Sequence, residues 1–266
     1  MTSKERIKKV FNFEKPDRIP VYDMFQNGLR SEYDFDIQIL NSSNVSTQKG
    51  KDTFNMLPLM DPFEDLSNTF GLEELLLRIG KNPEEVYYEF KKSTSKTLKQ
   101  AGRTIAKNKD IDGIWLWADM AYNEGTFFSE SFYITRLLPL HKEICTYFAD
   151  RNMPVVLHSD GNLKAIMPYL IEAGFKGLHP VESQAGMGLE ELNEKRDNMV
   201  FLGNFSLDLL RFKEMEDLRP ILARKLDFAK DKGGYVFGFE SPITQDIDLD
   251  KYQKVIEFVK EYGRYC

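Results

Sequence analysis

The sequence predicts an α/β protein of the (β/α)8, TIM-type barrel class, distorted or short of a strand, and three observations lead there. From about residue 111 onward, short apolar runs alternate with longer amphipathic stretches, the pattern of parallel strands joined by crossover helices. The glycine fingerprints of an open nucleotide-binding sheet, GxGxxG or GxxxxGK[ST], are absent. Five apolar runs close on a polar group: Asp119, then His158 with Asp160, then Glu182, Asn204 and Glu240. In a closed barrel such strand ends meet on one face, where enzymes of this architecture gather their catalytic groups.

Taken in order, residues 2 to 13 read as an opening helix, with Thr2 or Ser3 as N-cap and Ile7, Val10 and Phe11 on one face, stopping before Pro16. Residues 18 to 24 resemble a short buried strand. From about 26 to 55 the chain is polar and aperiodic, a loop-rich excursion, and a weak strand signal follows at 54 to 60. Helical patterns occupy about 61 to 79 and 83 to 107, where Pro83 suits a first turn and Val86, Phe90, Thr94 and Leu98 recur every four residues. The apolar runs are then 111 to 118, 154 to 157, 177 to 181, 199 to 203 and 234 to 239. Helix periodicity fills about 129 to 152, 162 to 173, 188 to 196, 215 to 232 and 249 to 263. Six or seven strands are countable in all.

Length and composition agree with one large core, a single domain over residues 1 to 266. The 42% hydrophobic fraction supplies surface to bury, and 36 basic against 42 acidic residues leave a net charge of -6, which excludes intrinsic disorder. No basic stripe is present, so neither nucleic acid nor an anionic membrane is an expected partner. The two cysteines, Cys145 and Cys266, imply no disulfide framework. A charged N-terminus and the lack of any run near the roughly 18 apolar residues of a membrane span point to the cytoplasm.

The densest constellation is His158-Ser159-Asp160-Gly161-Asn162. His158 and Asp160 lie two apart, so in an extended strand their side chains share a direction, and an imidazole with a carboxylate can hold a metal or pass a proton. The alternative is that Asp160 and Asn162 form a turn and cap the next helix. Asp119 ends an apolar strand, where burial would raise its pKa unless a cation or donor faces it; otherwise it caps a turn before Glu124-Gly125. Glu182 and Glu240 repeat the strand-end pattern or are surface loop acids. Asn204 orients a ligand or only satisfies backbone groups. His141 reads as a packing or solvated residue, and His179 precedes Pro180 within its apolar run.

Several stretches together resemble the uroporphyrinogen decarboxylase superfamily. They are Thr2 to Arg6 through Lys15 to Val21, Asp112 to Trp115 leading to Asp119, and Val156 to Asn162. Gly174 to Glu182, Leu202-Gly203-Asn204 and Tyr262 to Tyr265 match as well. The resemblance covers the first 25 residues and nearly everything from 83 onward, and it implies one of two reactions. One is cofactor-free decarboxylation of uroporphyrinogen; the other is methyl transfer to or from a corrinoid protein by zinc-dependent barrels. The decarboxylases carry an arginine-rich loop after the first strand, suited to a substrate with eight carboxylates. Here residues 24 to 30 hold a single Arg30, with Glu32 beside it. The resemblance is therefore closer to the methyltransferase branch.

That branch implies a zinc site, a cobalamin carried by a partner corrinoid protein, and a small-molecule methyl donor or acceptor. Its His-x-Cys-Gly motif corresponds here to His158-Ser159-Asp160-Gly161, and its second Cys to a segment reading Phe239-Glu240-Ser241, so the thiolates are replaced by carboxylates. The ligand trio implied is His158, Asp160 and Glu240, with Glu182 in reserve, a harder set than the sulfur original. Asp119 would position or protonate the substrate, with Glu182 and Asn204 as further catalytic candidates. The rival expectations are metal-free decarboxylation through Asp119 and a degenerate barrel that binds without turnover.

Overall fold

The computed structural model describes residues 1–25, 34–40, 52–192 and 198–265. The fold class is α/β of the TIM type, with parallel strands alternating with helices and seven regular strands of the main sheet among the described residues, one short of eight.

In chain order, α1 (Ser3–Phe11) starts at Thr2, whose side chain accepts the Glu5 N–H while Glu5 takes the Thr2 N–H, a reciprocal capping box. Then come β1 (Ile37–Ile39), β2 (Phe54–Met60), α2 (Pro62–Phe70), α3 (Leu72–Lys81) and α4 (Pro83–Lys107). The single helix expected over 61 to 79 is two, because Gly71 takes φ 85°, outside helical space. β3 (Gly113–Trp117) leads into a small antiparallel hairpin, β4 (Ala121–Tyr122) and β5 (Gly125–Thr126). The helix expected at 129 to 152 is α5 (Glu130–Phe132), a π-helical turn (Tyr133–Leu137) and α6 (Leu138–Ala149). The rest comprises β6 (Val155–His158), α7 (Met167–Ala173), β7 (Gly177–His179), β8 (Val200–Phe205), α8 (Leu207–Phe212), α9 (Met215–Lys232), β9 (Tyr235–Phe239) and α10 (Leu249–Tyr262). Of the helix expected over 188 to 196, residues 189 to 192 form turns and 193 to 196 lie outside the described residues. Most of the expected 26 to 55 excursion also lies outside them, and within the described part the sequence reading misses β1.

The described residues group into two compact units. Unit 1 comprises Met1–Gln38, Gly50–Phe54 and Gly177–Cys266. In it β7, β8 and β9 pair in parallel. The segment expected as a strand at 18 to 24 runs parallel to β9 through the isolated bridge Val21↔Phe237. Pro20 has no N–H, so it can only accept, and its carbonyl takes the Phe237 N–H while Tyr22 N–H donates to Phe237 O. Asp36, fully buried, is held by the guanidinium groups of Arg6 at 2.6 Å and Arg18 at 2.8 Å and accepts the Val21 N–H. Two cations and a backbone donor are what a fully desolvated carboxylate requires.

Unit 2 comprises Ile39–Lys49 and Asn55–Lys176, with β2, β3 and β6 paired in parallel. The weak signal at 54 to 60 is a true strand despite Pro58. Its register places Met60 beside Trp117, and Trp117 beside His158. Ile114, Trp115, Leu116 and Val155 to Leu157 are buried, as expected for strands covered on both faces, and each contributes about 1.5–3 kcal/mol of burial free energy. His141 is fully buried, hydrogen-bonded through Nδ1 to the Tyr133 hydroxyl at 2.8 Å and through Nε2 to Asp61 at 2.7 Å, so it is a packed core residue. No helix among the described residues is long and apolar enough to cross a membrane.

Candidate active site

In unit 2, the end of β3 and the end of β6 bring Asp119, His158 and Asp160 together. One ligand atom from each lies within 4.8 Å of the others. His158 Nε2 is 3.8 Å from a carboxylate oxygen of each aspartate. The imidazole is buried while both carboxylates are about half exposed, at 49% and 54%. Burial pushes His158 down to about 3, so at neutral pH the ring is uncharged and the 3.8 Å separations are not ion pairs. Trp117 packs edge-on against the ring at 4.3 Å between centroids.

Asp119 behaves as the sequence reading expects. Partial burial raises its carboxyl, and the Asp160 N–H, donating to Oδ1 at 3.2 Å, offsets part of the rise. The turn after β6 grips the loop after β3 at further points. Ser159 Oγ accepts the Met120 N–H at 3.0 Å, and Asn162 N–H donates to Tyr122 O at 2.9 Å. Gly161, at φ 84°, lies so close to the Ala121 and Tyr122 backbone that a Cβ would sit 2.6 Å from the Tyr122 nitrogen. The capping role weighed for this turn belongs to Asn162, whose Oδ1 accepts the Lys164 N–H.

Unit 1 holds the other three candidates, at the ends of β7, β8 and β9. Glu240 accepts both the N–H and the Oγ–H of Ser183. Burial raises its carboxyl, and Ser183 and then Lys225 pull it back. Asn204 is fully buried with φ 64°, a left-handed conformation that asparagine tolerates better than most residues. Its Nδ2 donates to Val181 O at 2.6 Å and Met187 O at 3.3 Å, and its Oδ1 accepts from Leu189 N–H and Lys225 Nζ. Burial lowers the Lys225 ammonium. Glu182 precedes the short 3-10 turn of Ser183–Ala185, and its charge raises Glu240 further. His179 is buried, edge-on to Tyr22.

The sequence reading misses three groups of this neighbourhood. Asp61, at the end of β2, N-caps α2 and donates its N–H to Trp117 O. Glu64, in the first turn of α2, is raised by burial and then by the charge of Asp119. Trp117 was read only as strand. Asp61 obeys the strand-end rule, directly following the weak strand expected at 54 to 60.

Comparison with known proteins adds a frame. A family model described as uroporphyrinogen decarboxylase (URO-D) matches residues 82–262. A solved methyltransferase from Methanosarcina mazei superposes with a TM-score of 0.63 at 17% identity, covering 81% of this chain and 60% of that one. At that identity the likeness speaks for the fold, and this chain spans about three fifths of that protein's length. A structure of Dispersin B aligns at a TM-score of 0.40 and 10% identity over 80% of this chain and 72% of that one, a likeness too slight to build on. No curated protein matches the sequence.

Proposed function

The chain belongs to the uroporphyrinogen decarboxylase family, and from that premise we propose that it is a metal-assisted methyltransferase, exchanging a methyl group between a small substrate or thiol and a corrinoid held by a partner protein. The observation that carries this reading is the convergence of Asp119, His158 and Asp160. The sequence resemblance to the corrinoid-linked branch and the fold likeness to a methyltransferase support it.

The donor set fits a divalent cation. Two carboxylates match its charge, one imidazole adds a nitrogen donor, and three protein ligands leave coordination positions for substrate. A cation held there would supply Lewis acidity toward the group that carries or receives the methyl. The chain's own residues do the rest. Trp117 shields the ring of His158 and lowers the local dielectric, which strengthens electrostatic interactions at the site. The half-exposed faces of Asp119 and Asp160 leave the cluster open to ligand from solvent. Asn204 and Glu240 we assign to holding the strand ends of unit 1, since they direct their hydrogen bonds to protein groups, while Glu182 stays a catalytic candidate.

Elemental analysis of purified protein is the direct test. About one divalent ion per chain is expected, falling to near zero in His158→Ala. Demethylation of free methylcobalamin by a thiol, followed by absorbance, should be lost in the same variant. A metal-free wild-type protein with undiminished methyl transfer would overturn the reading.

A further inference from the structure

The motif after β6 contains one buried polar side chain to which the function above gives no part. Ser159 stands between His158 and Asp160, is 2% exposed, and cannot itself meet a ligand from solvent. Its Oγ accepts the Met120 N–H at 3.0 Å and donates to the Asp160 carbonyl at 3.2 Å. Met120 directly follows Asp119, so this hydroxyl joins the backbone beside one candidate ligand to the backbone of another.

We propose that Ser159 is a positioning residue of the cation site, fixing the distance between the β3 end that carries Asp119 and the β6 end that carries His158 and Asp160. The inference rests on the metal reading above. The physical need is plain. Asp119 and Asp160 are half exposed and repel one another when ionised, so without a cation their loops would tend to part. A neutral hydroxyl bridging the two backbones opposes that separation without adding charge or competing for the ligand. The Gly161 contact and the Asn162 to Tyr122 hydrogen bond hold the loop farther along, at 121 and 122, and the Asp160 N–H to Asp119 Oδ1 and Ala118 N–H to His158 O bonds join the strand ends; to these Ser159 adds a buried side-chain bond to the amide that follows Asp119. Outer groups that orient ligands typically change metal affinity by about 10- to 100-fold when removed.

The experiment uses the full chain and Co²⁺ as probe, with affinity from titration and coordination geometry from the visible absorption of the bound ion. Ser159→Ala should weaken Co²⁺ binding about 10- to 100-fold and alter the band intensities. Ser159→Thr, which keeps the hydroxyl, should return both to the wild-type pattern. Circular dichroism checks that each variant is folded. If Ser159→Ala binds Co²⁺ as wild type does, or if the threonine fails to rescue a folded protein, the positioning role is wrong while the metal site stands. A wild-type protein that binds no Co²⁺ sinks both the site and the role.

Discussion

The polar strand ends of unit 1 and those of unit 2 look alike in sequence and differ in what surrounds them. In unit 1, Asn204 has its amide committed to Val181, Met187, Leu189 and Lys225, and Glu240 has Ser183 and the charge of Lys225. In unit 2, acids stand near acids. Asp119 and Asp160 flank one uncharged ring, and Glu64 feels the charge of Asp119. The first arrangement is satisfied by protein partners, which is the support for the scaffold role proposed for it. The second concentrates negative charge at a half-exposed surface beside a buried nitrogen donor, which is what the proposed cation site calls for. A strand-end polar residue is thus a candidate only until its partners are known.

One test addresses that division directly. Asp160→Asn should reduce divalent-cation affinity by more than about 100-fold, beyond the range of orienting groups, whereas Glu240→Gln should leave it at the wild-type value. Isothermal titration with both variants decides, and a loss in Glu240→Gln would break the comparison.

A second test concerns Asp23, at the end of the 18 to 24 segment in unit 1. Burial pushes its carboxyl up to about 7, against the opposing pull of the Phe239 N–H and the Tyr252 hydroxyl. Because the folded value lies above the unfolded one, the native state holds the extra proton. Its stabilising contribution is therefore complete below about pH 4 and is lost as pH rises to about 7, a change of about 4 kcal/mol. Urea unfolding of wild type and Asp23→Asn across pH 4 to 8 should give curves whose difference follows that slope. Parallel curves would show that the buried acid does not titrate in this range.

A third test sharpens the scaffold side. Asn204→Ala leaves several buried partners unmatched and puts a less tolerant residue at φ 64°. A stability loss of about 3 kcal/mol is expected. Asp119→Asn should stay within about 0.5 kcal/mol, as exposed substitutions do. Denaturant midpoints measure both, and a reversal of their order would mean the roles of the two regions have been exchanged.

Much of the fold is legible in the sequence because periodicity reports burial. The limits of α4 and α9 are those the apolar spacing gives, since Pro83 and the glycines at 233 and 234 bound them. The hinge at Gly71 is harder to read, because glycine inside a periodic stretch is compatible with either a continuous or a divided helix. β1 has three residues, too few for an alternation to register. In the site, Asp119, His158 and Asp160 are found because each directly ends or follows an apolar run. Asp61 is hidden by Pro58, which weakens the strand signal before it. Ser159 is named within its motif, but its part depends on an amide 39 positions away, a relation that no local pattern encodes.

The tight seat of Gly161 against the hairpin backbone has a consequence for anyone wishing to alter what enters this protein. Residue 161 admits no side chain, so the seat of the hairpin is closed to variation, while the exposed tip at Asn123 and Glu124 is not. Libraries that randomise or lengthen the tip should leave Asp119, His158 and Asp160 undisturbed; those that include 161 will mostly yield broken proteins.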